Sequence, residues 1–430
     1  MRDNVLVVHG GGPTAVLNAS LYGVLLEARE SGAVGAVYGA IGGSEGILKE
    51  RFLNLSRFPE EELKKLLTTP GTAIGSSRYA LEEEDYKAME AIFRKHHIRY
   101  VLFNGGNGTM DACGKLVRAL GPDSDIRVAG IPKTIDNDIG ITDHTPGYGS
   151  AARYIARTTA EIGADVKSLP IHVCILEAMG RNAGWITAAS ALARKKHGDA
   201  PHLIYLPERP FREEEFLADV KELYDRLGGV VVVASEGLKD ESGKPVVPPI
   251  FQTGRSVYYG DVGAYLAELV IKKLGIKARS EKPGLCGRAS ISLQSPVDRE
   301  EAVLAGREAL KAAMEGCTGI MIGFERRKQE EYEIRPIRIP VEQVMLTERT
   351  LPAGGLKQTL DELKAKEGLF VQVQAAGAVE TAVELAAADA GKEDIILAFG
   401  SLSYLGEVIR CAENILGERG GSENDRSGEN

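Results

Sequence analysis

The feature that most constrains this chain is a unit that occurs twice in its first 120 residues: a short apolar run, a glycine cluster, then an amphipathic helix. Asn4-Val5-Leu6-Val7-Val8 leads into His9-Gly10-Gly11-Gly12-Pro13-Thr14, after which Val16, Leu17, Leu21, Val24 and Leu25 recur at helical spacing. Tyr100-Val101-Leu102-Phe103 leads into Asn104-Gly105-Gly106-Asn107-Gly108-Thr109, and the spacing predicts a helix over 109–120. A strand that feeds a helix through glycine leaves backbone amides and the positive helix end available to a phosphate. Taken singly, either turn reads equally well as a tight βα connection. Strand-like runs at 33–38, 126–130, 171–176, 202–206, 230–234 and 318–324 alternate with helical stretches at 82–96, 150–162, 262–273 and 299–315. That alternation predicts a parallel, doubly wound α/β sheet with right-handed crossovers. Stretches 278–289 and 332–339 read as extended, and 240–255, rich in Gly and Pro, as a surface loop.

Open α/β sheets bind ligands at strand exits, and the run at 126–130 exits into Ile131-Pro132-Lys133-Thr134-Ile135-Asp136-Asn137-Asp138. Two acids beside a lysine also describe a solvated turn. Here the loop adds a hydroxyl and follows two glycine loops, so Asp136 reads as a general base for a hydroxyl that meets a phosphate. Three other stretches carry suitable chemistry. Arg78 stands behind the small residues Gly75-Ser76-Ser77, where a guanidinium suits a phosphoryl clamp. Met179-Gly180-Arg181 and Ser235-Glu236-Gly237 each follow a predicted strand; Glu236 is either a sugar-hydroxyl acceptor or a cap for the next turn.

Composition bounds the partners. With 43% hydrophobic and 26% charged residues, the chain is that of a soluble globular protein. A net charge of −9 argues against nucleic acid or an anionic membrane as main partner. An anionic substrate must therefore be met by local arginines, lysines and backbone amides. The five cysteines are scattered without metal-ligand spacing, which suits free thiols in a reducing cytoplasm. No apolar run has membrane-spanning length and no signal peptide is evident, so a cytoplasmic location is expected.

The order Gly-Gly-Pro-Thr-Ala-Val-Leu-Asn (11–18), Gly-Ser-Ser-Arg (75–78), Gly-Gly-Asn-Gly-Thr (105–109), Pro-Lys-Thr-Ile-Asp-Asn-Asp (132–138), Met-Gly-Arg (179–181) and Ser-Glu-Gly (235–237) resembles the 6-phosphofructokinase family over about residues 1–350. The resemblance implies two doubly wound, Rossmann-like lobes: 1–165 for the phosphoryl donor and the catalytic loop, and 166–350 for the sugar phosphate, with elements free to cross between them. It implies that Asp136 takes the proton of the 1-hydroxyl of fructose 6-phosphate, with Asp138, Thr134 and Lys133 assisting in the same loop. Gly11, Gly12, Arg78, Gly106, Gly108 and Thr109 correspond to donor contacts. Thr134, Met179, Gly180, Arg181, Glu236, Arg279 and Arg288 correspond to sugar-phosphate contacts, one arginine of the last pair often acting across a subunit boundary. Mg2+ is the implied cofactor, with Asn107 where the family usually places a magnesium-binding Asp; a homodimer or homotetramer is the implied assembly.

The donor, ATP or pyrophosphate, divides the motifs. Gly108 leaves room for the α-phosphate of ATP, whereas Lys133 and the spelling of the first glycine loop resemble the pyrophosphate branch. The steric argument tips the reading narrowly to ATP. Asn107, His172 in place of a phosphate-binding arginine, and Leu285 in place of His or Tyr leave a catalytically weak sugar-phosphate-binding subunit as a rival reading. From about 351 a short βα extension is expected to 417, followed by a polar, disordered end at 418–430. Residues 349–416 resemble the end of folylpolyglutamate synthases.

Overall fold

The structure, a computed structural model, describes residues 2–351 apart from 197, 254–255, 328–331 and 346. The extension, its resemblance to folylpolyglutamate synthases beyond residue 351, and the polar end lie outside the described residues. The strands are β1 (Asn4–His9), β2 (Val37–Ala40), β3 (Phe52–Asn54), β4 (Ile98–Gly105), β5 (Arg127–Pro132), β6 (Val173–Ala178) and β7 (Leu203–Tyr205). They continue with β8 (Val230–Ser235), β9 (Pro249–Thr253), β10 (Ser256–Tyr259), β11 (Ala278–Glu281), β12 (Ile320–Arg326) and β13 (Ile334–Pro340). The longer helices are α1 (Leu17–Ser31), α2 (Glu83–Lys95), α3 (Asn107–Leu120), α4 (Tyr148–Ser168), α5 (Glu213–Leu227), α6 (Val262–Leu274) and α7 (Pro296–Met314).

Two sheets organise these elements, as the two-lobed α/β reading expects. The larger has the order β13-β12-β5-β4-β1-β2-β3. Its interior pairs are parallel, and only the edge strands β3 and β13 run antiparallel. Continuous apolar runs make this possible, because both faces of an all-parallel interior must be covered. Val5, Val7, Leu102 and Ala129 pack with Leu21 and Leu25 of α1 and with Ala305 and Ala309 of α7. Leu6, Val8, Val101 and Val128 point the other way, onto Met89 and Phe93 of α2 and Met110 of α3. Helices α1 and α7 approach very closely: a Cβ at Gly23 would lie 2.0 Å from the Val303 carbonyl oxygen, and one at Gly306 would lie 2.0 Å from that of Ser20.

The smaller sheet, β11-β6-β8-β7, is parallel throughout. Its Val173, Ile175, Val230 and Val232 pack on Phe216 and Val220 of α5 and Leu266 and Val270 of α6. The chain then goes back to the first sheet, where β12 pairs with β5. Four local expectations change. The strand expected over 33–38 begins at Val37, because α1 ends in a left-handed cap at Gly32 (φ 57) and the chain needs the next residues to turn. The loop expected over 240–255 ends in a strand, β9, paired with β10. The extended stretch expected over 278–289 is a strand only to Glu281 and resumes as a short helix, Leu285–Ala289, after a turn at Gly284 (φ 51). Helix α5 was not anticipated, although Phe216, Val220 and Leu223 carry its buried stripe. No described helix is long and apolar enough to cross a membrane.

Candidate active site

The C-terminal ends of β1, β4 and β5 from one sheet and of β6 and β8 from the other border a single cleft of about 680 Å³. On the first side the cleft is built largely from backbone. Gly11 takes φ +72 in the turn after β1. A Cβ at Gly10 or Gly105 would lie 2.2 Å from Oγ1 of Thr109, so both turns close tightly on that side chain. Helix α3 starts at Asn107 without a side-chain cap, which leaves first-turn amides for an anion. The segment bearing Arg78 is stitched to the first turn by a bridge between Gly10 and Ser77 and by Ser76 Oγ donating to the Gly11 carbonyl at 2.8 Å.

The loop after β5 is held from several directions. Thr134 Oγ1 accepts from the Asp136 amide at 3.1 Å, and the Thr134 amide donates to Pro146 O at 3.2 Å. Asn137, left-handed at φ 53, accepts from the Thr145 amide at 3.1 Å. Asn107 Nδ2 donates to Asp138 Oδ2 at 2.9 Å. Lys133 is buried, and its Nζ donates to the Gly12 carbonyl at 2.5 Å. Burial, with Arg288 nearby, lowers its pKa to about 8. Burial, then the negative charges of Asp138 and Glu236, raise Asp136 to about 7, and burial pushes Asp138 upward too. A carboxylate poised near neutrality suits proton abstraction.

The second side is built from side chains. Gly180, at φ +111, donates its amide to Glu236 Oε1 at 3.3 Å, and burial raises the pKa of Glu236. Arg181 lies over the Tyr259 ring, 4.7 Å from its centroid. Met179, Arg181 and Glu236 line the cleft together with Thr134, Asp136 and Asp138. Arg288 reaches the cleft from the short helix after β11; a Cβ on Gly12 would lie 2.6 Å from its Nη1.

The structure therefore brings nearly every expected site residue to one cleft: Gly11, Gly12, Arg78, Gly106, Asn107, Gly108, Thr109, Lys133, Thr134, Asp136, Asp138, Met179, Arg181, Glu236 and Arg288 line it, and Gly180 joins through Glu236. Arg279 is the exception. It is exposed on β11 and does not line this cleft. His172 is buried beside it with both ring nitrogens unpartnered, and burial, then Arg279, lower its pKa. Leu285 is exposed.

Of the cleft residues that had no assigned role in the sequence, two titratable ones stand out, His9 and Glu348. His9 is fully buried at the end of β1, with Nδ1 2.7 Å from Thr72 Oγ1; burial and then Lys133 lower its pKa to about 3, so it is neutral. Its place before the glycine turn was the available signal. Glu348 comes from a polar stretch that no motif marks.

A phosphofructokinase family model matches residues 4–313. The chain belongs to the phosphofructokinase family. It is accordingly a phosphotransferase with an alcohol acceptor. A pyrophosphate–fructose 6-phosphate 1-phosphotransferase of Rhodospirillum rubrum is 40% identical over 353 residues, covering 78% of this chain and 86% of its own length. One of the same name from Xanthomonas campestris is 37% identical, covering 83% and 88%. A crystal structure of a pyrophosphate-dependent phosphofructokinase from Marinobacter aquaeolei superposes with a TM-score of 0.74 at 35% identity, covering 81% of this phosphofructokinase-family chain and 86% of its own.

Proposed function

We propose that this enzyme transfers a phosphoryl group from pyrophosphate to the 1-hydroxyl of fructose 6-phosphate, as a cytoplasmic sugar-phosphate phosphotransferase. The observation that carries the reading is Lys133, a buried ammonium between the first glycine turn and the loop of Asp136 and Asp138. Cationic charge there stabilises the phosphoryl group as it moves between two oxygens. The relatives named above act on pyrophosphate by their names, which favours this donor over the narrow preference for ATP in the sequence.

In the proposed step the Asp136 carboxylate accepts the proton of the sugar hydroxyl while its oxygen bonds to phosphorus. The bond from phosphorus to the bridging oxygen breaks, and inorganic phosphate leaves. Thr134 and Lys133 hold the transferring group, and Arg78 and the amides of the two glycine turns hold the donor; Arg288, expected on the sugar phosphate, lies beside Gly12 of the first turn and is assigned to the donor instead. Arg181, Glu236 and Gly180 orient the sugar through its hydroxyls and phosphate. Asn107 Oδ1 and Asp138 Oδ1 are buried without partners, hard oxygen acceptors of the kind Mg2+ takes beside phosphate oxygens and water. Charge neutralisation on the phosphates is what Mg2+ supplies when bound. Because Arg279 lies outside its own chain's cleft, a grip on the 6-phosphate by that residue requires a second copy of the chain.

Gly108 supports the second reading, ATP as donor. Nothing lies within 4 Å of a Cβ built there, so the site has no steric bar to a nucleotide. Open space adds no binding group, however, whereas Lys133 does. Initial rates with fructose 6-phosphate and Mg2+, comparing pyrophosphate with ATP, test the choice. Turnover with pyrophosphate, reversed by phosphate, is expected; turnover with ATP alone would overturn it, and turnover with neither would favour a sugar-phosphate-binding subunit.

A further inference from the structure

Residues 348–351 join the two sides of the cleft. Toward the catalytic loop, the Arg349 amide donates to Asp138 O at 2.7 Å, and its Nη1 donates to Thr142 O at 2.6 Å and Asp143 O at 2.8 Å. Toward the other side, the guanidinium lies 4.6 Å from the centroid of the Trp185 ring, and Trp185 Nε1 donates to Arg349 O at 3.4 Å. Glu348 accepts from Asn182 Nδ2 at 3.0 and 3.1 Å, next to Arg181. The Leu351 amide donates at 2.8 Å to Glu208 Oε1, which also takes the Gly184 amide at 2.7 Å.

The loop needs such support. Asn137 (φ 53) and Ile141 (φ 68) are both left-handed without being glycine, and for a β-branched residue that conformation is a true outlier. Such residues persist only where surrounding contacts over-determine them. Arg349 binds three carbonyls between 138 and 143, which brackets Ile141. We propose that Arg349 is a positioning residue for phosphoryl transfer: the bonds of its Nη1 to two loop carbonyls and its stack on Trp185 fix the Asp136 loop against the loop that holds the sugar. This inference rests on the proposed reading of the cleft. It also places a determinant of turnover beyond residue 313, where the family model ends. The role asks for arginine because of the stack: a planar guanidinium lies flat on the Trp185 ring, whereas an ammonium on a flexible stem does not.

The test compares wild type with Arg349→Ala and Arg349→Lys in the full chain, by steady-state kinetics and by hydrogen–deuterium exchange. Arg349→Ala is expected to lower kcat by about 10²-fold, with both KM values within roughly threefold, as misplacement of a reacting group does. Exchange should speed up over 134–143 and stay unchanged in β6 and β8. Added guanidinium should restore part of the alanine variant's kcat, which a purely structural loss would not allow. Should the alanine variant fail to fold, Arg349→Lys serves, with a kcat loss of about tenfold or more expected at an unchanged Tm. A folded variant with wild-type kcat and wild-type exchange over 134–143 overturns the inference. If wild type turns over fructose 6-phosphate with neither donor, the proposed function fails instead, and the exchange comparison still decides the role of Arg349.

Discussion

The two sides of the cleft are made of different material. The side under the first sheet is mostly backbone: two glycine turns, an uncapped helix start, and a lysine donating to a carbonyl. The side under the second sheet is mostly side chain: Arg181, Glu236 and Asn182 from loops after β6 and β8, tied to Glu348 and Arg349 far along the chain. A phosphate is met well by amides, which any sequence can present once glycine allows the turn. A sugar with distinct hydroxyls needs particular donors and acceptors at particular places. The first side should therefore break when a Cβ is added, and the second when a functional group is removed.

The largest effect is expected where the sides meet. Asp136→Asn should lower kcat by about 10³ to 10⁴-fold, the upper part of what acid–base catalysis supplies. Calorimetry should show sugar-phosphate binding retained; a loss of only a few-fold would remove the loop from the chemistry. On the second side, Glu236→Gln should raise KM for the sugar phosphate by about 10-fold, the value of a hydrogen bond to a charged group, and leave KM for the donor unchanged. On the first side, Gly12→Ala should push the Arg288 guanidinium aside and raise KM for the donor alone. Equal changes in both KM values in either variant would erase the distinction.

A smaller effect lies beneath the catalytic loop. His144 is held by Asp143 at 3.1 Å and Glu301 at 2.6 Å, with Tyr332 donating to Glu301 and Phe324 stacked on the ring. Burial lowers its pKa, but the two carboxylates more than offset this and raise it to about 9. A raised folded-state value stabilises fully below the unfolded value of 6.5, and the gain disappears as pH rises through about 9. Denaturant midpoints should fall between those pH values in wild type, and the fall should flatten in His144→Gln.

Much of this molecule is legible in its sequence, for physical reasons. The parallel interior strands must be apolar on both faces, so Val5–Val8 and Val101–Phe103 stand out as runs. The glycine-turn side is legible because each glycine turn is contiguous with the strand and helix that position it. Helix α5, absent from the expected elements, is legible too in its regular buried stripe of Phe216, Val220 and Leu223. The break at Gly284 depends on a positive φ that one glycine in a polar stretch does not announce. Glu348 and Arg349 illustrate the deeper limit. Their partners, Asn182, Trp185 and the carbonyls of 138–143, lie more than a hundred residues away, and no spacing rule links them. For Arg279 and Arg288 the resemblance expects one to act across a subunit boundary without saying which, and Arg279 is the one outside its own chain's cleft.

The return of the chain to its first sheet has a consequence for how the protein is made. Helix α1 meets α7 at a near-contact of backbones, and Glu27 pairs with Arg307, 280 residues later. At the usual pace of synthesis that partner emerges from the ribosome roughly 15 to 55 s after α1. Until then the face of β1 and β4 that α1 shares with α7 is only partly covered, and the second lobe, whose sheet is local to 173–281, can complete its own core first. The amino-terminal lobe is thus the last to be finished, and nascent chains truncated before α7 should bind a holding chaperone through that half-covered face.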